Sequence, residues 1–374
     1  MHAETAATRD LRNPVPPDTA PRATPPEIER VNRMVTPILH QAVTRFDDRL
    51  RPMVAHHFGW PSSDLPTATT SGKMVRATLT VLTGECFTSD AEAISRVAAA
   101  GAAVEMIHNF SLIHDDVMDG DKERRGRPAV WHEYGIPAAI LTGDLLLAQA
   151  PLMLDGPWAA DPRAARLLAE AVTRLAAGQM ADLSLEGRAE ASPDEALAVA
   201  ADKTGALLAC ACELGALLAG ASEEATRRFS RFGLRLGLAF QIADDILGIW
   251  GDPRRTGKPV GSDLRSRKGS FPVTAALASD TPEAAELARF YAGEGPVEED
   301  EARRATDLVT RARRLDEGGA GDRALRDAGP RGAQLRTGTA GGPRGRPAVA
   351  HQLPVQPEPL MGRHPARAGI GGLA

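Results

Sequence analysis

The sequence predicts an all-α fold, built as one large helical bundle. Three observations carry this. From Glu27 to about Asp316 the chain is rich in Ala, Leu, Arg and Glu, apolar residues return at helical intervals, and β-branched alternation is scarce. The periodicity places helices at about 27–57, 73–86, 90–118, 136–154, 162–186, 193–219, 222–250, 270–279, 282–293 and 297–315. Ser192 followed by Pro193 is an N-cap with a first-turn proline, and Asp161-Pro162 repeats the device. Long helices rich in Ala and Gly imply close helix packing rather than a coiled-coil seam.

This body, residues 27–316, is flanked by two segments of different character. Residues 1–26 carry prolines at 14, 16, 17, 21, 25 and 26 and little that is large and apolar, so they read as a disordered leader. Residues 317–374 are rich in Gly and Pro, with eight arginines, no lysine and four acidic residues. Two readings stand for this tail: plain low complexity, or a change of reading frame that has replaced C-terminal helices with the Arg, Gly, Ala and Pro of a GC-rich gene.

Composition narrows the function. With 43% hydrophobic and 25% charged residues the chain is neither disordered nor fibrous. Its net charge of −5 gives no reason to expect nucleic acid. No apolar run is long enough to cross a bilayer, and the start lacks a signal-peptide pattern. Cys86, Cys210 and Cys212 form neither a disulfide framework nor a zinc or redox pair, so a reduced cytoplasmic setting is the economical expectation.

The chemistry concentrates at two acidic clusters. The helix over 90–118 runs into His114-Asp115-Asp116-Val117-Met118-Asp119, where Asp115 and Asp119 share a face with Asp116 beside them. These carboxylates repel one another and meet the negative pole of the helix, which favours a bound cation. An all-oxygen donor set suits Mg2+. Taken alone, the cluster also reads as a solvated helix end. A second cluster, Gln241-Ile242-Ala243-Asp244-Asp245, lies on another long helix. Arg124-Arg125, Lys203-Thr204, Lys258 and Lys268 supply counter-charges, so the set reads as a diphosphate site without a Gly-rich loop.

In that order the motifs resemble those of the trans-isoprenyl diphosphate synthases, the polyprenyl synthetase family that includes farnesyl and geranylgeranyl diphosphate synthases. His114–Asp119 with Arg124-Arg125-Gly126 resembles the first aspartate-rich motif. Phe240–Asp245 resembles the second, and Gly257-Lys258-Pro259-Val260-Gly261-Ser262-Asp263 the segment after it. Ser71-Gly72-Lys73-Met74-Val75-Arg76 is similar to the upstream G-G-K-R-x-R-P signature, and Gly178-Gln179-Met180-Ala181-Asp182 to a further family segment.

The resemblance implies a helical bundle of the isoprenoid synthase type around an apolar cavity. It also implies Asp115, Asp116, Asp119 and Asp244 as magnesium ligands, with Asp245 and Asp263 in support. Arg124, Lys203, Thr204, Gln241 and Lys258 would hold an allylic diphosphate, and Lys73, Arg76, His108 and Arg125 the diphosphate of isopentenyl diphosphate. The catalytic set would be Asp115, Asp119, Arg124, Lys203, Asp244 and Lys258. Phe110 and Ser111, five and four residues before Asp115, match the geranylgeranyl arrangement and would set chain length. A homodimer is the usual assembly in the family.

Three departures from the family pattern are visible. Gly248 stands where the second motif has its last aspartate, Met74 and Ala77 replace an Arg and a Pro, and the tail is abnormal. A class I terpene cyclase needs an Asn/Asp, Ser and Glu triplet that 244–252 lacks. A non-catalytic partner subunit is the other competing expectation, and the retained charged residues argue against it.

Overall fold

In a computed structural model of the chain, the described residues are 24–60, 73–154, 161–252 and 260–315. The leader (apart from 24–26), the tail from 317 and Lys258 therefore lie outside them. The organising element is α4 (Ala91–Asp119), started by the Asp90 carboxylate, which accepts the Ala93 N–H at 2.8 Å. From Val97 to Ile107 α4 is buried on every side, so it is the axis about which other helices pack. Gly120, at φ 68°, ends it in the left-handed conformation.

Against α4 pack α1 (Pro26–Val43), α3 (Val75–Glu85), α6 (Ile136–Leu152) and α9 (Ala206–Leu218), and α7 (Arg163–Leu185) and α10 (Glu223–Trp250) pack in turn on α9. Val35, Leu39, Val81, Met106, Ile107, Leu146, Leu207 and Leu214 fill the main core between them. A second core forms where the end of α10 meets α11 (Ser262–Arg265), α12 (Phe271–Leu277), α13 (Pro282–Tyr291) and α14 (Glu299–Leu315). It contains Ile249, Leu264, Val273, Leu287, Tyr291 and Val309. The all-α expectation holds.

The structure corrects several boundaries. The helix expected over 27–57 is two: α1 stops at Val43, and α2 (Arg51–Phe58) starts anew. Between them Asp47 Oδ1 accepts the Arg49 N–H at 2.9 Å, an Asx turn, and Pro52 cannot extend a helix backwards. The segment 193–219 starts as expected, with a capping box between Ser192 and Glu195. It runs through α8 (Pro193–Val199) into a π-helical stretch, Ala200–Gly205, before α9 resumes. At Asp161-Pro162 the device is displaced by one residue: Pro162 takes the cap position, and Asp161 Oδ1 accepts the Arg163 N–H at 2.9 Å.

Four small elements escaped the periodicity. Strands β1 (Glu123–Arg124) and β2 (Arg127–Pro128) form a hairpin in the register Arg124↔Arg127. Its two-residue loop, Arg125-Gly126, has φ 56° and 71°, the left-handed pair that a tight hairpin demands. The helix α5 (Val130–Tyr134) follows, and α11 is a single turn. No described helix is long and apolar enough to cross a membrane.

Candidate active site

At the end of α4 the three aspartates part company. Asp115 is partly buried and Asp119 exposed, one turn apart on one face. Burial pushes the Asp115 carboxyl up to about 6; the Asp119 charge adds to this, and Lys203 and Arg124 oppose it. Asp116 is buried and points elsewhere. Its Oδ1 accepts from Arg124 Nε at 2.8 Å and from Arg124 Nη2, while Oδ2 is buried with no hydrogen-bond partner. The expectation that Asp116 shares a metal with its neighbours meets this geometry: α4 turns about 100° per residue, so Asp116 faces the hairpin instead.

The π-helical stretch brings Lys203 and Thr204 to the same rim. Its backbone passes so close to α7 that a Cβ on Gly178 would lie 2.3 Å from the Lys203 nitrogen, which explains the glycine of the Gly178–Asp182 segment. Lys203 Nζ donates to Asp182 Oδ2 at 2.6 Å, and Lys268 Nζ donates to the same oxygen at 3.1 Å. Lys268 was noted in the sequence only as a counter-charge, yet it stands between the two acidic motifs. Burial would lower its pKa, but Asp182 and Asp263, with a smaller share from Asp119, raise it well above the usual lysine range. Its backbone is anchored by the second core, where Tyr291 donates its O–H to the Lys268 carbonyl at 2.8 Å.

On α10 the second acidic pair divides its labour. Asp244 is exposed. Asp245 is buried; its Oδ1 accepts from Gln241 Nε2 at 2.8 Å and its Oδ2 from the Phe271 N–H at 3.1 Å. Through these two bonds Asp245 pins the start of α12 and orients Gln241, while burial, the larger effect, pushes its carboxyl up to about 6. Thr204 in turn donates to Gln241 Oε1 at 2.5 Å, linking the π-helical stretch to α10.

One departure from the family pattern finds its reason here. A Cβ built on Gly248 would lie 2.2 Å from Asp263 Oδ2 and 2.4 Å from its Cγ. The Asp263 carboxylate thus rests on the bare backbone at the position where the pattern has an aspartate. Ser262 fixes this approach by donating to the Gly248 carbonyl at 3.2 Å.

A cavity of about 280 Å³ lies beside the acidic rim, and Lys73, Arg76, His108 and Arg125 all line it, together with Glu105 and Phe240. The four residues expected to hold one diphosphate are therefore gathered in one place. Burial lowers the pKa of Arg76 and of Arg125, and it drives His108 well below the usual histidine range, with Arg76 and Arg125 adding to that. Glu105, which the sequence alone does not single out, is buried here and accepts the Ala77 N–H at 3.0 Å. Burial raises its pKa and the Arg76 charge opposes the rise. Met74 (φ 39°) and Arg125 (φ 56°) both hold left-handed backbone at the cavity wall, local strain of the kind found at binding sites.

Ser111 is buried on α4, its hydroxyl donating back to the His108 carbonyl at 2.9 Å, and Phe110 is half-buried against the main core. Among the described residues no three His, Cys, Asp or Glu side chains gather closely enough to hold an ion unaided. The donors present are all oxygens, and Asp115 is a carboxylate under like-charge pressure from Asp119. That set fits Mg2+, which keeps several waters and shares phosphate oxygens with one or two carboxylates.

An acidic motif on each of two long helices, lysines between them and a basic cavity alongside fit a prenyltransferase of the all-helical class. The chain belongs to the polyprenyl synthetase family, whose description matches residues 65–309. It is 44% identical over 285 residues to the geranylgeranyl diphosphate synthase of Mycobacterium tuberculosis, covering 75% of this chain and 81% of that one. It is 43% identical over 260 residues to the (2E,6E)-farnesyl diphosphate synthase of Mycobacterium bovis, covering 69% and 71%. The crystal structure of a polyprenyl synthetase from Streptomyces coelicolor A3(2) superposes with a TM-score of 0.65 at 39% identity, over 81% of this chain and 96% of that one. A polyprenyl synthase from Caulobacter crescentus CB15, complexed with calcium and isoprenyl diphosphate, superposes with a TM-score of 0.67 at 30% identity, over 82% and 89%.

Proposed function

We propose that the protein condenses an allylic diphosphate with isopentenyl diphosphate head-to-tail, with Mg2+, to give geranylgeranyl diphosphate. The observation that carries this reading is the pairing of two anion sites across one hairpin. Arg124 points to the acidic rim, held by Asp116, while the adjacent Arg125 lines the cationic cavity. Two diphosphates would lie side by side, the arrangement a condensation of two diphosphate substrates requires.

In this reading Asp115, Asp119 and Asp244 would hold Mg2+, which when bound would supply positive charge to the leaving diphosphate. Asp116 is reassigned to positioning Arg124. Lys203 and Arg124 would grip the allylic diphosphate, with Lys268 beside them, and Thr204 and Gln241 would orient the rim; Lys258, outside the described residues, is assigned to the same diphosphate by resemblance alone. Ionisation of the allylic carbon–oxygen bond leaves a carbocation, stabilised by proximity to that diphosphate and shielded from water by the apolar helices. Lys73, Arg76, His108 and Arg125 place the isopentenyl double bond against it. After the new carbon–carbon bond forms, a proton leaves to the released diphosphate, so no protein nucleophile is needed. Phe110 would form the floor that stops growth, with the small Ser111 leaving room above it.

The Caulobacter relative binds calcium and isoprenyl diphosphate, which supports a divalent-metal diphosphate site. The relatives named above include both geranylgeranyl and farnesyl synthases, so farnesyl diphosphate is the second product to test. Incubating the purified protein with Mg2+, isopentenyl diphosphate and each allylic primer, followed by product chromatography, decides. A twenty-carbon product supports the proposal and a fifteen-carbon one supports the alternative. Cyclised product, or no product from the protein alone, would contradict both.

A further inference from the structure

His114 lies between the acidic motif and Phe110, and it is packed in a way the metal and diphosphate sites do not explain. Its ring meets the Phe110 ring edge-on, with centroids 5.1 Å apart at 76°. The two residues are four apart on α4, so they stack along one face. The His114 ring also crosses to α6: Nε2 lies 3.0 Å from the Ile140 carbonyl oxygen. A carbonyl only accepts, so the proton sits on Nε2. The space for the ring comes from Gly143, where a Cβ would lie 2.2 Å from Nε2 and 2.4 Å from Cδ2 of His114.

We infer that His114 is a specificity-determining residue: a strut, seated on Gly143 and tied to Ile140 on α6, that holds the Phe110 ring in place and so fixes product length. The inference rests on the proposed elongation activity. Phe110 is only half-buried against the main core, which leaves its ring room to change rotamer, and a growing chain pressing on the floor proposed above would drive that change. An edge-to-face partner fixed to the neighbouring helix removes this freedom. Phe110 alone would then be a yielding floor, and Phe110 with His114 a rigid one.

The test is product chain-length distribution, read as a ratio and so independent of turnover. His114→Ala should raise the fraction of products longer than those of the wild type roughly two- to tenfold, the range spanned by an aromatic pair of this geometry. His114→Phe keeps an edge against Phe110 but loses the bond to α6, so it should restore the wild-type ratio only in part. Gly143→Ala should shift the distribution in the wild type but much less in the His114→Ala background, because the atoms nearest the added Cβ all belong to that ring. Thermal melts check that each variant is folded. An unchanged ratio in folded His114→Ala, whatever its rate, overturns the strut. If the wild type forms no prenyl diphosphate, the elongation reading itself fails.

Discussion

At the scale of single residues, the site is organised by side chains that touch other side chains rather than substrate. Asp116 was legible as one of three clustered aspartates, but its burial against Arg124 was not, because the hairpin that delivers Arg124 leaves no periodic signal. Gly248 is the sharper case. By pattern alone Gly248→Asp would complete the second motif. Sterically it must expel Asp263, whose Oδ2 lies 2.2 Å from the added Cβ. The variant should therefore lose most of the thermal stabilisation that magnesium pyrophosphate gives the wild type, and adding Asp263→Gly should recover part of it. A full thermal shift in the single variant would show that Asp263 has room to yield.

His57 provides a pH signature at the same scale. Asn109 donates from Nδ2 to the Glu105 carbonyl at 2.8 Å, which turns its Oδ1 toward His57 Nε2 at 3.0 Å. Burial first, then the Arg125 charge, lowers the His57 pKa to about 3. A folded pKa below the unfolded value means the unfolded chain takes up the proton first. Stability present above the ordinary histidine pKa is thus lost as pH falls from about 6.5 toward 3, at about 1.4 kcal/mol per pH unit. Urea unfolding at pH 7 and pH 5 should show a shallower loss for His57→Gln than for the wild type; parallel losses would remove His57 as a contributor.

At the scale of elements, the hairpin and the π-helical stretch place cations that helices alone would not. The Arg125-Gly126 loop has both residues in the left-handed region, where a β-branched side chain is costly. Gly126→Val should cost on the order of 1–2 kcal/mol and raise KM for isopentenyl diphosphate more than it lowers kcat, since Arg125 lines that cavity. Steady-state kinetics with each substrate varied would show this, and a pure kcat effect would count against it. The long helices were legible because α4 and α10 carry N-caps, Asp90 and Ser222, and sustained apolar content. The break at residues 44–50 was not, because an Asx turn at Asp47 is a local competition between side chain and backbone that apolar spacing does not register. The cavity residues Lys73, Arg76, His108 and Arg125 were found through resemblance. Glu105 beside them was not, since its signal is burial, which only tertiary packing supplies.

At the scale of the whole molecule, α6 presents Ile136, Ile140, Leu141 and Leu152 as exposed apolar side chains, more than a solvated helix needs. If this face is where two copies meet, as the family resemblance implies, Leu141→Glu should shift sedimentation from dimer to monomer, and a monomeric wild type would contradict it. The proposal as a whole is broader: the carboxylates of α4 and α10 would act together on one diphosphate, and Lys268 feels Asp119 of the one helix and Asp245 of the other. Calorimetric binding of a non-ionisable allylic diphosphate analogue, with Mg2+ or with chelator, tests it most directly. The account predicts tight binding only with Mg2+, weakened at least about tenfold, or about 1.4 kcal/mol, by Asp115→Asn and by Asp244→Asn alike. Equal binding in chelator, or indifference to either substitution, would contradict it.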